Sequence, residues 1–214
     1  MAISNYTELQ TAVDNWLARS DLSGRSPEFI ALCEAKLNRD LRCTQMERRS
    51  YTTVNLSSDE PEFISLPTDF QTMRRVRLSS VTGKPRLQFK SGVQADEYRY
   101  ATDNTSAQPV YFTVFGDEME LIPTPILAHT IEMVYRSNIP ALASNSTNWL
   151  LTLAPDIYLY GALMEAAAFI KEDSRIATWA TGFSNALDGL NRLAQEQSNG
   201  AGPLEVRVSG SSIQ

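Results

Sequence analysis

Residues 148–170, NWLLTLAPDIYLYGALMEAAAFI, are the most apolar stretch of the chain and decide its fold. A membrane-spanning helix needs about 20 apolar residues without charges. Pro155 and Asp156 interrupt the stretch and Glu165 lies inside the remainder, so the uninterrupted run is too short to span a bilayer. The stretch therefore predicts a core helix over residues 155–170 that other helices must cover on all sides.

Amphipathic patterns predict further helices near both ends of the chain. Asn5 followed by Glu8 fits a capping box, and a helix is predicted from there to about residue 19. The SPEF sequence predicts a second helix with Ser26 as its N-cap. A last helix is predicted after KEDSR, and its predicted buried stripe is Trp179, Phe183, Leu187, Leu190 and Leu193.

Between these helices the apolar period changes from 3.6 to 2, which is typical of strands. PVYFTVFGDEMELIP predicts a β-hairpin with Gly116-Asp117 as a type II′ turn. The predicted fold class is therefore α+β. Residues 1–46 and 148–198 form a helical body, residues 47–147 an inserted antiparallel β region, and residues 199–214 an extended C-terminal arm.

The formal net charge is −6 and is unevenly distributed. Residues 1–100 contain 14 Lys/Arg and 13 Asp/Glu, whereas residues 101–214 contain 5 and 12. A protein that grips nucleic acid needs a basic surface to neutralise the phosphates, so this balance argues against nucleic-acid binding. Cys33 and Cys43 are predicted to lie about 15 Å apart in one helix, too far for a disulfide, and are interpreted as buried thiols.

No pattern of catalytic or metal-binding residues stands out. His129 is the only histidine, and a structural or surface role is predicted for it. Asp117, Glu118 and Glu120 are predicted to form a solvated acidic hairpin tip, with a weak Ca²⁺ site as the alternative. No cofactor and no metal are predicted.

Two features leave alternatives open. Glu165 inside the apolar helix could serve as the general acid of a glycoside hydrolase, but an ion pair with an arginine or a position at a helix edge is favoured. Arg75 and Arg77 are predicted on one side of a strand with Arg74 opposite. Ion pairs with acids of a neighbouring subunit are favoured for these arginines over phosphate binding.

The chain contains, in this order, YTELQTAVDNWLARSD, FIALCEAKLNRDLR, ISLPTDFQTMRRV, PVYFTVFGDEMELIPTP, IEMVYRSNIPAL and TNWLLTLAPDIYLYGALMEAA. Together these segments resemble the head-to-tail adaptor (connector) proteins of tailed bacteriophages. The resemblance covers about residues 6–195, and its most specific parts are LPTDF, GDEMELIPTP and NWLLTLAPDIYLYGAL. None of these is a catalytic motif, so no enzymatic activity is predicted.

The resemblance implies a structural protein of the virion neck, made in the host cytoplasm. It implies a homo-oligomeric ring, commonly of twelve subunits, below the portal protein and above a tail or nozzle protein. Genomic DNA would pass through this ring without specific binding, and no membrane is involved. The alternatives are another neck or tail-completion protein on a similar fold, and a virion-associated cell-wall glycan hydrolase.

Three groups of residues are predicted to carry the contacts of such a ring. The arm is predicted to bind the portal through Leu204, Val206, Val208 and Ile213. The subunit interface is predicted to contain Arg75, Arg77, Ala162 and Ala166. The acidic hairpin, Asp117, Glu118 and Glu120, is predicted to line the channel or to face the tail.

Overall fold

The computed structural model describes residues 3–22, 24–102, 105–171 and 173–199. Six helices and a seven-stranded sheet occur in these ranges, so the predicted α+β class is confirmed at this level. The chain divides into two compact units, a helical unit (Met1–Gln45 with Ile139–Gln214) and a β unit (Met46–Asn138). In the described ranges, no helix combines the length and the apolarity that crossing a membrane requires.

The helices, in chain order, are α1 (Tyr6–Leu17), α2 (Ser26–Asp40), α3 (Gly92–Ala101), α4 (Trp149–Leu153), α5 (Pro155–Ile170) and α6 (Asp173–Asn199). The strands are β1 (Glu47–Thr53), β2 (Phe63–Ser65), β3 (Phe70–Leu78), β4 (Arg86–Phe89), β5 (Tyr111–Phe115), β6 (Glu118–Ile122) and β7 (Thr130–Ser137). Helix α3 belongs to the β unit, and the other five helices form the helical unit.

Helix α5 lies at the centre of the helical unit. It has the bounds that the sequence predicted, with Pro155 in its first turn, and α1, α2, α4 and α6 all pack against it. Gly161 lets α5 approach its neighbours closely, because a Cβ there would overlap the Cys33 sulfur on α2 and lie 3.1 Å from the Phe183 ring on α6. The buried residues of α5 are Ile157, Tyr158, Leu159, Gly161, Ala162, Leu163, Ala166 and Ala167.

The helices start where the sequence predicted, but the predicted N-terminal capping hydrogen bonds are only partly present. The Asn5 side chain accepts a hydrogen bond from the Glu8 backbone N–H at 2.9 Å, as predicted. The Glu8 carboxylate, however, binds the Ser4 backbone N–H and hydroxyl, so the box with Asn5 is not closed. Ser26 is not the N-cap of α2, because the helix already includes it and its hydroxyl donates to Asp14 on α1 at 2.9 Å.

Helix α6 is less buried than predicted. Phe183 is buried, but Trp179 is only partly buried between Trp16 and Tyr160, and Leu193 is 54% exposed. In the last turns of α6 the buried residue is Ala194, which is 5% exposed, and the Leu193 side chain beside it faces solvent. The predicted continuous stripe is therefore wrong at its C-terminal end.

The β unit contains one sheet in the strand order β1-β7-β3-β4-β5-β6-β2. The predicted hairpin is present: Phe115 lies opposite Glu118, and Gly116 has the positive φ, +57°, that a type II′ turn requires. The prediction of a wholly antiparallel region is wrong, because β4 and β5 are parallel. Helix α3 lies between them in the chain and provides the crossover that a parallel pair needs.

Two irregularities shape the middle of this sheet. Strand β3 has register shifts between Phe70 and Thr72 and between Met73 and Arg75. Strand β4 pairs with β3 only at Leu87 and Arg86. Its last two residues, Gln88 and Phe89, pair with β5 instead. The two strands therefore diverge, and a cleft opens between the first half of β3 and the end of β4.

Candidate interaction surfaces

The acidic hairpin keeps only two of its three predicted surface acids. Asp117 and Glu118 are exposed at the tip between β5 and β6. Glu120 is 3% exposed and forms an ion pair with Arg99 of α3, so its predicted surface position is wrong. Alternation does place Glu118 and Glu120 on one face of β6, but deeper in the sheet the side chain of Arg99 covers that face. The surface charge of the hairpin is therefore that of Asp117 and Glu118.

Arginines cluster on the side of the sheet that faces away from its core. Directly opposed residues share a face, and the cross-strand register sets Arg75 opposite Val134, and Arg77 opposite both Glu132 and Arg86. We call this surface the arginine face. On strands β1, β3, β4 and β7 its arginines are Arg49, Arg74, Arg75, Arg77, Arg86 and Arg136, and its acids are Glu47 and Glu132.

The bulge in β3 overturns one prediction about these arginines. Arg74 was expected opposite Arg75 and Arg77, but it forms an ion pair of 3.4 Å with Glu47, which belongs to the arginine face. An extra residue in one strand shifts the alternation by one position, which explains the difference. All three arginines therefore lie on one surface.

The arginines of this face differ in their partners. Arg75 donates to Glu132 at 3.3 Å, and its Nε atom is buried without a hydrogen-bond partner among the described residues. Because Glu132 is only 6% exposed, Arg75 has a structural role within its own chain. In the described ranges, no carboxylate contacts Arg77 or Arg86. These two side chains and Arg49, which stacks on Tyr51, leave the face with unneutralised positive charge.

Ala162 and Ala166 do not reach the surface of the helical unit. Both are 0% exposed, because the neighbouring helices pack against α5. Another subunit could contact them only if those helices separated. The apolar residues that do reach the surface of this unit are Trp16, Leu32, Leu153, Phe169 and Leu193. The predicted arm residues Leu204, Val206, Val208 and Ile213 lie outside the described residues.

The residues considered for catalysis have structural surroundings. Lys36 of α2 donates to Glu165 at 2.6 Å, so the predicted ion pair exists, with lysine in place of arginine. An ion pair requires the ionised carboxylate, whereas a general acid must carry a proton. His129 is buried, with Nδ1 3.4 Å from the Ser80 hydroxyl. Across the described ranges, no three His, Cys, Asp or Glu side chains form a potential metal site.

Both cysteines are free and buried, as predicted. The prediction that one helix contains both is wrong, since α2 ends at Asp40. Burial raises the pKa of the Cys33 thiol well above its usual range, with smaller contributions from Glu34 and Glu165, so the thiol stays protonated. Neither cysteine is placed as a nucleophile.

Arg49, Arg86 and Arg99 shape these surfaces and were not assigned to them from the sequence. Arg86 lies in a short turn-flanked strand, and only its pairing with Arg77 brings it to the arginine face. The partnership of Arg99 and Glu120 joins a helix to a strand that follows later in the chain. Arg49 could have been assigned from alternation in β1, because Tyr51 lies two residues away on the same side.

The two units carry surfaces suited to binding other proteins: an acidic hairpin tip, an arginine face and exposed apolar side chains. Surfaces of this kind suit a structural protein that joins other proteins. Residues 4–207 match the family model described as SU10 adaptor protein, a family of phage head-to-tail adaptors. The chain belongs to this family and is a structural component of the virion. A comparison with curated proteins found no match.

Proposed function

We propose that the chain assembles into a ring of twelve subunits that docks below the portal. This ring would extend the DNA channel and join the capsid vertex to the tail. Membership of the adaptor family over residues 4–207 is the observation that carries this proposal. An adaptor must bind other virion components, and each unit exposes surfaces that can do so. The contacts with other virion components would be shared between the helical body, the β insertion and the C-terminal arm.

The experiment that tests the proposal is electron microscopy of the full-length protein mixed with its portal protein. Rings that cap the portal are expected. Rings that form but leave the portal uncapped would favour the alternative, another neck or tail-completion component. A protein that forms no rings, with or without portal, would contradict the proposed function.

The C-terminal arm is proposed to attach the ring to the portal. Leu204, Val206 and Val208 alternate with Glu205 and Arg207, which gives an extended segment one apolar side suited to adding a strand to a sheet edge. Removing residues 200–214, which follow α6, should abolish portal capping while far-UV circular dichroism and the melting temperature of the ring stay unchanged. Undiminished capping by the shortened chain would exclude the arm from this contact.

The proposed interface between subunits includes Arg77 of the arginine face. Arg77 has no carboxylate partner among the described residues, so an acid of a neighbouring subunit would neutralise it. Arg75 is less suitable as a test position, because reversing it would place a second carboxylate beside buried Glu132. Arg77→Gln should keep the fold and weaken ring formation, which sedimentation velocity would measure against the wild-type protein.

The channel wall is proposed to repel DNA. Duplex DNA carries one negative charge per about 1.7 Å of its length, so a basic wall would hold a passing genome. A net charge of −6 and the exposed acids at the hairpin tip would keep it free. The free protein should therefore show no appreciable duplex affinity in a low-salt filter-binding titration, and micromolar, salt-sensitive binding would contradict this.

A further inference from the structure

The cleft between β3 and β4 is a preformed pocket with an apolar floor and a cationic rim. It has a volume of about 680 Å³. Met73, Leu87 and Phe112 line its floor, and all three belong to the core side of the sheet. Its rim carries Arg74, Arg75 and Arg86. An apolar floor with such a rim fits a segment that offers both an apolar side chain and carboxylates.

Arg86 makes the rim unsatisfied in the isolated chain. It is exposed and contacts no carboxylate of the described residues, and the cross-strand neighbour on its β3 side is another arginine, Arg77. Arg74 is 57% exposed and its pair with Glu47 is a surface one, which is worth little in solution. The rim can therefore accept carboxylates without losing important contacts of its own.

The loop between β1 and β2 has the complementary composition. Residues 55–62, NLSSDEPE, contain Leu56, which is 43% exposed, and three carboxylates, Asp59, Glu60 and Glu62. In the described ranges no cation forms an ion pair with these three carboxylates, so the loop makes no such contact with the rim of its own chain. Arg86 on the rim and the three loop carboxylates thus have no partner of opposite charge among the described residues of one subunit.

This loop also has a defined shape. The Asn55 side chain accepts a hydrogen bond from the Ser57 backbone N–H at 3.1 Å, and the Asn55 carbonyl accepts one from the Ser58 N–H at 3.2 Å. The Ser58 hydroxyl in turn accepts from the Glu60 N–H at 3.4 Å. A loop that is already folded loses less conformational entropy when it binds.

We propose that the β3–β4 cleft binds the acidic loop, residues 55–62, of a second copy of this chain. Leu56 enters the apolar floor, and Asp59 and Glu60 meet Arg74 and Arg86 on the rim. This contact depends on the ring assembly proposed above, in which it would join each subunit to the next. Each subunit offers its loop to one neighbour and its cleft to the other.

Such a contact joins two different surfaces of the same chain. Repeated head-to-tail contacts of this kind close into a ring when the rotation between subunits allows it. An eight-residue loop buries less than the roughly 800 Å² per partner of a standard stable interface, so flanking surfaces must add area. Charge complementarity between loop and cleft therefore sets partner choice and orientation more than total affinity.

Charge reversal of full-length protein tests the contact. The cleft variant is Arg74→Glu/Arg86→Glu and the loop variant is Asp59→Arg/Glu60→Arg. Each alone places like charges together and should raise the protein concentration needed for rings by about tenfold or more. Ring formation is measured by sedimentation velocity and negative-stain microscopy, and far-UV circular dichroism checks that each variant is folded.

Two recombinations give the decisive result. The variant with all four reversals should assemble with itself nearly as well as wild type. A mixture of the cleft variant with the loop variant should also assemble, because the acidic cleft of one fits the basic loop of the other. The mixed rings should contain the two variants in alternation, which native mass spectrometry of chains of different mass would detect.

The matched control reverses two other exposed acids, with Asp117→Lys/Glu118→Lys at the hairpin tip. Ring formation by this control should match wild type. If the control fails to assemble while the loop variant assembles normally, the hairpin occupies the cleft and the proposal is wrong. Normal assembly by both the cleft and loop variants would overturn this contact alone and leave the ring intact. A wild-type chain that stays monomeric with portal present overturns the ring and this contact together.

Discussion

Gly161 on α5 provides the sharpest test of how the helical unit is packed. A methyl group at this position would overlap the Cys33 sulfur, and it would lie 3.1 Å from the Phe183 ring. Cys33 is 1% exposed and Phe183 is 6% exposed, so neither side chain can move out into solvent without opening the core. We therefore expect Gly161→Ala to destabilise the helical unit.

The magnitude follows from two opposing effects. Overpacking a well-packed core costs about 1–3 kcal/mol, and the overlap with two buried neighbours places this site near the upper end. Replacing glycine by alanine in a helix interior contributes about 1 kcal/mol of stability. The net loss should be about 2 kcal/mol, which lowers the melting temperature of a chain of this size by about 4–8 °C.

Intrinsic tryptophan fluorescence during urea unfolding is a suitable assay, because Trp16, Trp149 and Trp179 all belong to the helical unit. Gly189→Ala on α6 is the matched control, since no atom outside its own stretch of helix lies within 4 Å of its added methyl group. The control should be stabilised by about 0.5–1 kcal/mol. Adding Cys33→Ala to Gly161→Ala removes the overlapping sulfur and should recover part of the loss. A Gly161→Ala protein as stable as the control would refute the close packing of α2, α5 and α6.

Three further outcomes follow from buried groups. Arg99→Ala should cost about 3–5 kcal/mol, because it leaves Glu120 buried without its partner, and adding Glu120→Gln should recover most of this in thermal unfolding. Burial raises the pKa of Glu34 by more than the hydrogen bond from the Leu142 N–H lowers it. The protonated carboxyl is therefore favoured in the folded state, and this side chain stabilises the fold at low pH. That contribution is complete below the unfolded-state pKa and is lost as pH rises through the folded-state pKa. Glu34→Gln should therefore gain stability relative to wild type from pH 4 to pH 8, and a constant difference would contradict this. Cys33 should react with a thiol reagent only on unfolding, since burial raises its pKa and closes access to it.

Local signals in the sequence were sufficient for some elements of this fold. Pro155 marks the start of α5, and an apolar composition on every side predicts that other helices surround it. Gly116-Asp117 between two alternating runs fixes the hairpin, because only a few turns join strands through two residues. In both cases the residues that determine the structure are neighbours in the chain.

The errors arose where distant residues decide the outcome. The parallel pairing of β4 with β5 depends on where α3 carries the chain, which strand periodicity does not encode. The bulge in β3 is a property of its pairing with β7, and it moved Arg74 onto the arginine face. Ala162 and Ala166 were predicted to pack both within and between subunits, and in the single chain the neighbouring helices already bury them.

Glu118 and Glu120 make a final comparison possible, because they lie two residues apart on one face of β6 and have different surroundings. Glu118 is exposed next to the turn, and Glu120 is buried in its ion pair with Arg99. Only exposed charge contributes to a repulsive surface, and it is screened beyond about 8 Å at physiological salt. Glu118→Lys should therefore change stability by no more than about 0.5 kcal/mol while raising the duplex affinity of the ring.

Glu120→Lys should have the opposite effect, because it places two cations together in a buried site. We expect it to prevent stable folding of the β unit, which far-UV circular dichroism and thermal unfolding would detect. Glu120→Gln, which keeps the shape without the charge, should fold and leave duplex binding as weak as in wild type. If Glu120→Gln raised duplex affinity as much as Glu118→Lys, Glu120 would have to be exposed in the assembled protein. The buried pair with Arg99 would then not describe the ring.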